Sequence, residues 1–170
     1  RGGREETAQE ATEASRAAPA ARGERIEPGE LWFAIESDRT IRHPAMAVAG
    51  LQSAHQRNTY AYLFTWSSPA LGGLLGSCHA LDLPFVFGTL GHPMFRPFAG
   101  KGPDARALAE RMQDAWIAFA RTGRPDHEGL PEWPGYEVST RRTMILDRRC
   151  RVEMAPREAE RAFWDRVPSE

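Results

Sequence analysis

Thr59-Tyr60-Ala61-Tyr62-Leu63-Phe64-Thr65-Trp66 sets Tyr60, Tyr62, Phe64 and Trp66 on one side of an extended chain and Ala61 and Leu63 on the other. Apolar groups on both faces predict a strand covered on both sides, central in its sheet. A helical period of about 3.6 takes over later. Leu108, Met112, Ala115, Trp116 and Phe119 recur on one face, with Asp104 as a cap and Gly123 and Pro125 as the stop. This stripe, Trp116 and Phe119 included, is read as core packing against the sheet. Thr143 to Asp147 predicts a short late strand. Pro156 then opens an amphipathic helix with Ala159, Phe163 and Val167 inward and Arg157, Glu160 and Arg161 toward water. Upstream, the run from Leu31 to Ile35 is able to bury. Cap residues from Asp38 to Thr40 precede Pro44, which fits a first helical turn, and a helix is expected to about His55. Gly50 weakens it by about 1 kcal/mol relative to alanine.

Residues 1–28 are set apart: the first 25 or so are rich in Ala, Glu and Arg, lack aromatics and include Pro19 and Gly23, so a frayed helix and a disordered tail both fit. Residues 29–170 carry no repeat or linker and read as one contiguous piece. With 26% charged residues of both signs and a net charge of -1, nothing calls for a nucleic-acid partner. The local basic cluster of Arg141, Arg142, Arg148, Arg149 and Arg151 is read as solvated surface. No apolar run approaches the roughly 20 residues that span a bilayer. The chain opens on Arg1 and leaves localisation undetermined.

The candidate chemistry lies in Gly76-Ser77-Cys78-His79-Ala80-Leu81-Asp82-Leu83-Pro84-Phe85-Val86-Phe87-Gly88, which puts a histidine in a glycine-flanked loop after the strand. Reactive groups of open α/β sheets gather on loops beyond the carboxyl ends of strands, so His79 stands where a base would act. A loop histidine bonded only to backbone is the plainer alternative, and spacing alone leaves both open. Cys78 and Cys150 are expected as free thiols. A Cys78–His79 nucleophile pair is disfavoured because neighbouring side chains on an extended loop diverge. Cys78, His79, His92 and Cys150 lack the spacing of a metal site, and no cofactor is expected. His43, His55, His92 and His127 are read as surface or capping residues. Phe85 and Phe87 are expected mainly in the core, with a pocket wall as the lesser alternative.

A strand of the type Y-x-Y-x-F followed by G-x-x-H-x-x-[ED]-x-P-F-V-F-G resembles the catalytic-histidine segment of the type B carboxylesterases, the family that includes the cholinesterases. Asp38-Arg39-Thr40-Ile41-Arg42-His43-Pro44-Ala45 upstream, and Trp116 to Pro125 followed by Trp133-Pro134-Gly135-Tyr136 downstream, match in the same order, so the resemblance spans about Gly29 to Asp147. It implies the C-terminal portion of an α/β-hydrolase sheet with packed helices, residues 29–170 being the C-terminal part of the domain. It also implies that His79 is the general base of a Ser-Glu/Asp-His triad acting on a small carboxylic ester. The family's G-x-S-x-G elbow occurs nowhere in the 170 residues, and Glu128-Gly129 follows His79, whereas the family's acid precedes the histidine. Serine and acid are therefore expected in an N-terminal part of the same domain, and the isolated chain is expected to be inactive. Asp82 stands where the family often has glutamate and is expected to brace the histidine loop or a neighbouring segment. Ala80 stands where many members have glycine and is expected at an ordinary φ. A non-catalytic, cholinesterase-like interaction module is the alternative function.

Overall fold

The structure, a computed structural model, describes residues 2–21 and 27–167. In chain order these form α1 (Gly2–Ala21), α2 (Pro28–Ser37), a π turn (Asp38–Arg42), α3 (His43–His55), β1 (Tyr62–Phe64), a 3-10 turn (Ala70–Gly73), α4 (Leu83–Val86), α5 (Arg96–Ala99), α6 (Pro103–Thr122), β2 (Thr143–Leu146), β3 (Arg151–Glu153) and α7 (Glu158–Trp164). They belong to two compact units, one drawn from residues 1–54 and 155–170, the other from residues 55–154.

In the first unit α1 packs on α2 and α7 around Ala11, Phe163 and Trp164. Helical backbone begins at Pro28, well before the predicted start. Glu27 and Glu30 form a capping box, the Glu27 N–H donating to Glu30 Oε2 at 2.9 Å, and Pro28 sits where a missing N–H costs nothing. The chain then runs without a break through the π turn, where the His43 N–H donates to the Asp38 carbonyl. Pro44 has no N–H to offer, and the wider turn carries the helix past it. Asp38 and Thr40 thus lie inside the helix and cap nothing. The buried Asp38 carboxylate accepts from Arg42 Nε at 2.6 Å, and Thr40 Oγ1 donates to the Glu36 carbonyl at 2.6 Å. Of the Leu31–Ile35 run only Leu31 is fully buried, while Trp32 and Phe33 are exposed. Phe163 of α7 and Val167 just beyond it face inward as predicted, but the first turn of the helix departs from the expected face. Burying Trp164 beside Phe163 turns the helix so that Glu160 is buried and Ala159 is exposed. Arg161 is largely covered and pairs with Glu158 and Asp165.

In the second unit β1 pairs in parallel with β2, Tyr62 opposite Met144 and Phe64 opposite Leu146, and β2 pairs antiparallel with β3. A parallel pair needs a crossover, here the stretch carrying α4, α5 and α6. The sheet order is β1-β2-β3, so β1 lies at the edge of the sheet that the described residues form. One face of β1 is covered as expected. Phe64 and Trp66 meet the fully buried Phe85 of α4, Tyr62 meets Trp116 and Trp133, and Tyr60 meets Phe119 and Trp133. Leu108, Met112 and Ala115 of α6 complete this core with Leu81, Met144 and Leu146.

The stripe on α6 is therefore inward, although Trp116 is half-buried and Phe119 is 45% exposed. Gly123 ends the helix in the left-handed conformation, its N–H donating to the Phe119 carbonyl. The N-cap is Gly102, and Asp104 lies inside the first turn, where it pairs with Arg148 at 3.3 Å. Strand β3 was not predicted. Its Arg151 pairs with Glu153 and Arg142 pairs with Glu137, so much of the basic cluster is matched by acids at the surface.

Candidate active-site turn

His79 lies on the connection between β1 and α4. Two consecutive turns carry it: the Leu81 N–H donates to the Cys78 carbonyl at 3.2 Å, and the Leu83 N–H to the Ala80 carbonyl at 3.3 Å. The second turn runs into α4, where Asp82 accepts at its carbonyl from the N–H groups of Phe85 and Val86. To reverse direction between the turns, Ala80 adopts φ 62°, so the expectation of an ordinary φ is corrected. Its Cβ crowds the backbone in that region at a cost of about 1 kcal/mol, which glycine would not incur.

The segment just after the histidine is firmly held. Leu81, Pro84 and Phe85 are fully buried, whereas Phe87, also expected in the core, is 72% exposed because α4 is a single turn and ends before it. His79 itself is exposed, and its ring forms no hydrogen bond among the described residues. The imidazole is therefore available to an incoming group. Asp82 Oδ2 accepts the Tyr62 hydroxyl at 3.0 Å, tying the carboxyl side of the turn to β1. On the amino side Ser77 Oγ donates to the Phe64 carbonyl at 2.8 Å. Partial burial, reinforced by the negative charge of Asp82 and by the hydrogen bond to it, raises the Tyr62 phenol well above its ordinary range, so it remains a donor.

Cys78 and Cys150 are both free thiols. Burial pushes the Cys78 thiol up, which opposes thiolate formation beside His79. Three of the other histidines have local roles. His43 Nε2 meets Asp165 Oδ1 at 2.9 Å, and His92 Nδ1 accepts from the Met94 N–H. His127 accepts from the Gly129 N–H at Nδ1, so its Nε2 carries the proton and donates to the Arg111 carbonyl at 3.0 Å. Among the described residues no three metal-ligating side chains come together, and no helix is long and apolar enough to cross a membrane. A cavity of about 520 Å³ lies beside Trp66 between Arg96, Lys101, Asp104 and Arg148, and His79 does not line it. Tyr62 and Ser77 were absent from the sequence-derived site. A tyrosine in place of phenylalanine on a strand face lined with aromatic rings was the available signal, since its hydroxyl takes a polar partner where the ring packs on apolar neighbours.

The family profile described as the carboxylesterase family matches residues 4–164. The chain belongs to the carboxylesterase family. It is 37% identical over 125 residues to the para-nitrobenzyl esterase of Bacillus subtilis, covering 74% of this chain and 25% of that protein. It is 36% identical over 97 residues to the phenmedipham hydrolase of Pseudarthrobacter oxydans, covering 56% of this chain and 20% of that one. Among solved structures it resembles a thermophilic PNB esterase, with a TM-score of 0.70 at 30% identity over 88% of this chain and 30% of the other. It also resembles a carboxylesterase of Geobacillus stearothermophilus, with a TM-score of 0.68 at 32% identity over 86% of this chain and 31% of that one. This carboxylesterase chain thus spans about a quarter of the length of the curated relatives it matches. Its strands and helices form part of an α/β-hydrolase fold, as the resemblance implied.

Proposed function

We propose that this chain is the histidine-bearing part of a serine carboxylic ester hydrolase, with His79 as general base. The imidazole takes the proton of a serine hydroxyl as that oxygen attacks the ester carbonyl, then returns it to the leaving alcohol. A water repeats the sequence to release the acid. The nucleophile and the orienting acid come from an N-terminal part of the same domain, upstream of these 170 residues. The reading rests on one observation, the exposed and unengaged imidazole of His79 on a braced turn beyond β1 in a chain of the carboxylesterase family. Asp82 acts indirectly, through the turn it holds. The substrate class is a small carboxylic ester, and the chemistry described needs no metal or cofactor.

The test is hydrolysis of p-nitrophenyl butyrate by the 170-residue chain and by the full polypeptide in which it lies. Loss of the serine from such a triad costs on the order of 10⁶-fold in turnover, so the short chain is expected to stay at the buffer rate while the full polypeptide turns over. Robust hydrolysis by the 170 residues alone would overturn the division of the triad. A full polypeptide without an elbow serine and without turnover would favour a non-catalytic interaction module.

A further inference from the structure

The geometry points to Tyr62 and Ser77 as positioning residues for His79: the two hydroxyls, Tyr62 on β1 and Ser77 on the loop, clamp the histidine turn to the strand from both sides. The inference rests on the catalytic reading of His79. Ser77 lies two residues before the histidine and binds the carbonyl of Phe64, while Asp82 lies three residues after it and is bound by the hydroxyl of Tyr62. The attachment points on β1 are two residues apart, and the strand between them is pinned to β2 by ladder hydrogen bonds. An exposed side chain on an untethered loop samples many positions, whereas catalysis requires the base within hydrogen-bond reach of its partner. The two clamps restrict the turn without touching the ring.

The Tyr62 side is built to stay in place. Its ring sits edge-on to Trp116 at 5.2 Å and to Trp133 at 6.4 Å, and Trp133 is itself tied by Nε1 to the Ala61 carbonyl at 3.2 Å. The phenol cannot swing away from Asp82 without disturbing that aromatic cluster. The other side is lighter. Both hydroxyls lie at the surface, Tyr62 being 40% exposed, but Ser77 has no ring packed on neighbours to hold it against the Phe64 carbonyl. Tyr62 is therefore the stronger of the two restraints, and its loss matters more to His79.

Two readouts separate this inference from the catalytic reading. In the 170-residue chain, Tyr62→Phe is expected to speed amide hydrogen exchange at residues 78–83 by about tenfold, the factor that accompanies loss of one hydrogen bond. Exchange in α6 should be unchanged. Ser77→Ala should give a smaller acceleration at the same residues. Asp82→Asn, which keeps an acceptor, should hold exchange nearer the parent rate than Asp82→Leu does. In the full polypeptide, Tyr62→Phe should lower kcat for p-nitrophenyl butyrate about tenfold with KM unchanged, because positioning of the base acts on the chemical step. Faster exchange in a polypeptide with no His79-dependent hydrolysis would overturn the catalytic reading and leave only a structural clamp. His79-dependent hydrolysis that Tyr62→Phe leaves intact would overturn the positioning role and keep the catalytic one.

Discussion

Phe85→Ala is expected to remove a large part of the stability of the unit that carries His79, and Phe87→Ala, two positions further on, almost none. Phe85 is 0% exposed, with its ring 5.2 Å from that of Phe64 and 5.6 Å from that of Trp66. Truncation forfeits about 1.5–3 kcal/mol of transfer free energy. The two ring contacts add about 0.5–1 kcal/mol each. The total is about 4 kcal/mol, inside the range of roughly 3–5 kcal/mol for burying and then deleting a phenylalanine ring. α4 has little means of closing the void, because the adjacent Leu81 and Pro84 are already fully buried. Phe87 is 72% exposed, and its removal should change stability by no more than about 0.5 kcal/mol. Urea titration followed by tryptophan emission reads both, since Trp66 packs directly on Phe85. At a slope of about 2 kcal/mol per molar, Phe85→Ala should lower the midpoint by about 2 M and Phe87→Ala by less than about 0.3 M. Where the parent midpoint is itself below about 2 M, the Phe85 variant should already show unfolded emission in buffer. Equal midpoints for the two variants would refute the packing described around α4.

Ala80→Gly should raise the urea midpoint slightly. It relieves about 1 kcal/mol of left-handed strain at φ 62° and gives part of that back through the freer unfolded chain, so a lowered midpoint would contradict the turn geometry. Arg42→Ala should cost about 3 kcal/mol by thermal or urea unfolding, because it leaves the Asp38 carboxylate, 4% exposed, without its partner. An alanine variant as stable as the parent would mean that the pair contributes nothing. Tyr62 sets an alkaline limit. Its folded phenol is raised above the ordinary value near 10, so its contribution is whole below about pH 10 and is lost as pH climbs from there toward the folded value. The difference in urea midpoint between the parent and Tyr62→Phe should therefore shrink from pH 9 to pH 11, and a difference that grows would contradict the assigned direction.

How much the sequence disclosed depended on the strength of each local signal. The α6 stripe and its Gly123 stop were legible because a long helix repeats its pattern and ends on a residue suited to left-handed backbone. β2 was legible as an unbroken apolar run, whereas β3 is three residues, two of them charged, and offers no pattern at all. The start of α2 was missed because glutamate is an unusual cap and the break expected near Pro44 is smoothed by a π turn. Around α7 Phe163 and Val167 were placed correctly, but Ala159 and Glu160 were not, because a seven-residue helix samples too few positions and one tryptophan outweighs the alanine that the pattern placed inward. At the candidate site the position of His79 after β1 could be read from glycine placement and the strand pattern. The Tyr62–Asp82 bond could not, since it joins residues twenty apart in sequence through tertiary packing. Ala80 likewise took its left-handed conformation from the two turns it joins, and alanine itself gives no signal for that.

The assignment of His79 as the base of an ester hydrolase is tested most directly by the turnover of p-nitrophenyl butyrate by the full polypeptide before and after His79→Ala. A catalytic base predicts a fall on the order of 10⁶-fold, with the fold preserved by circular dichroism. The control His92→Ala, which alters a local turn contact and the ring contact with Phe95, should stay near the parent rate. A folded His79→Ala variant that keeps a substantial share of the parent activity would contradict the assignment.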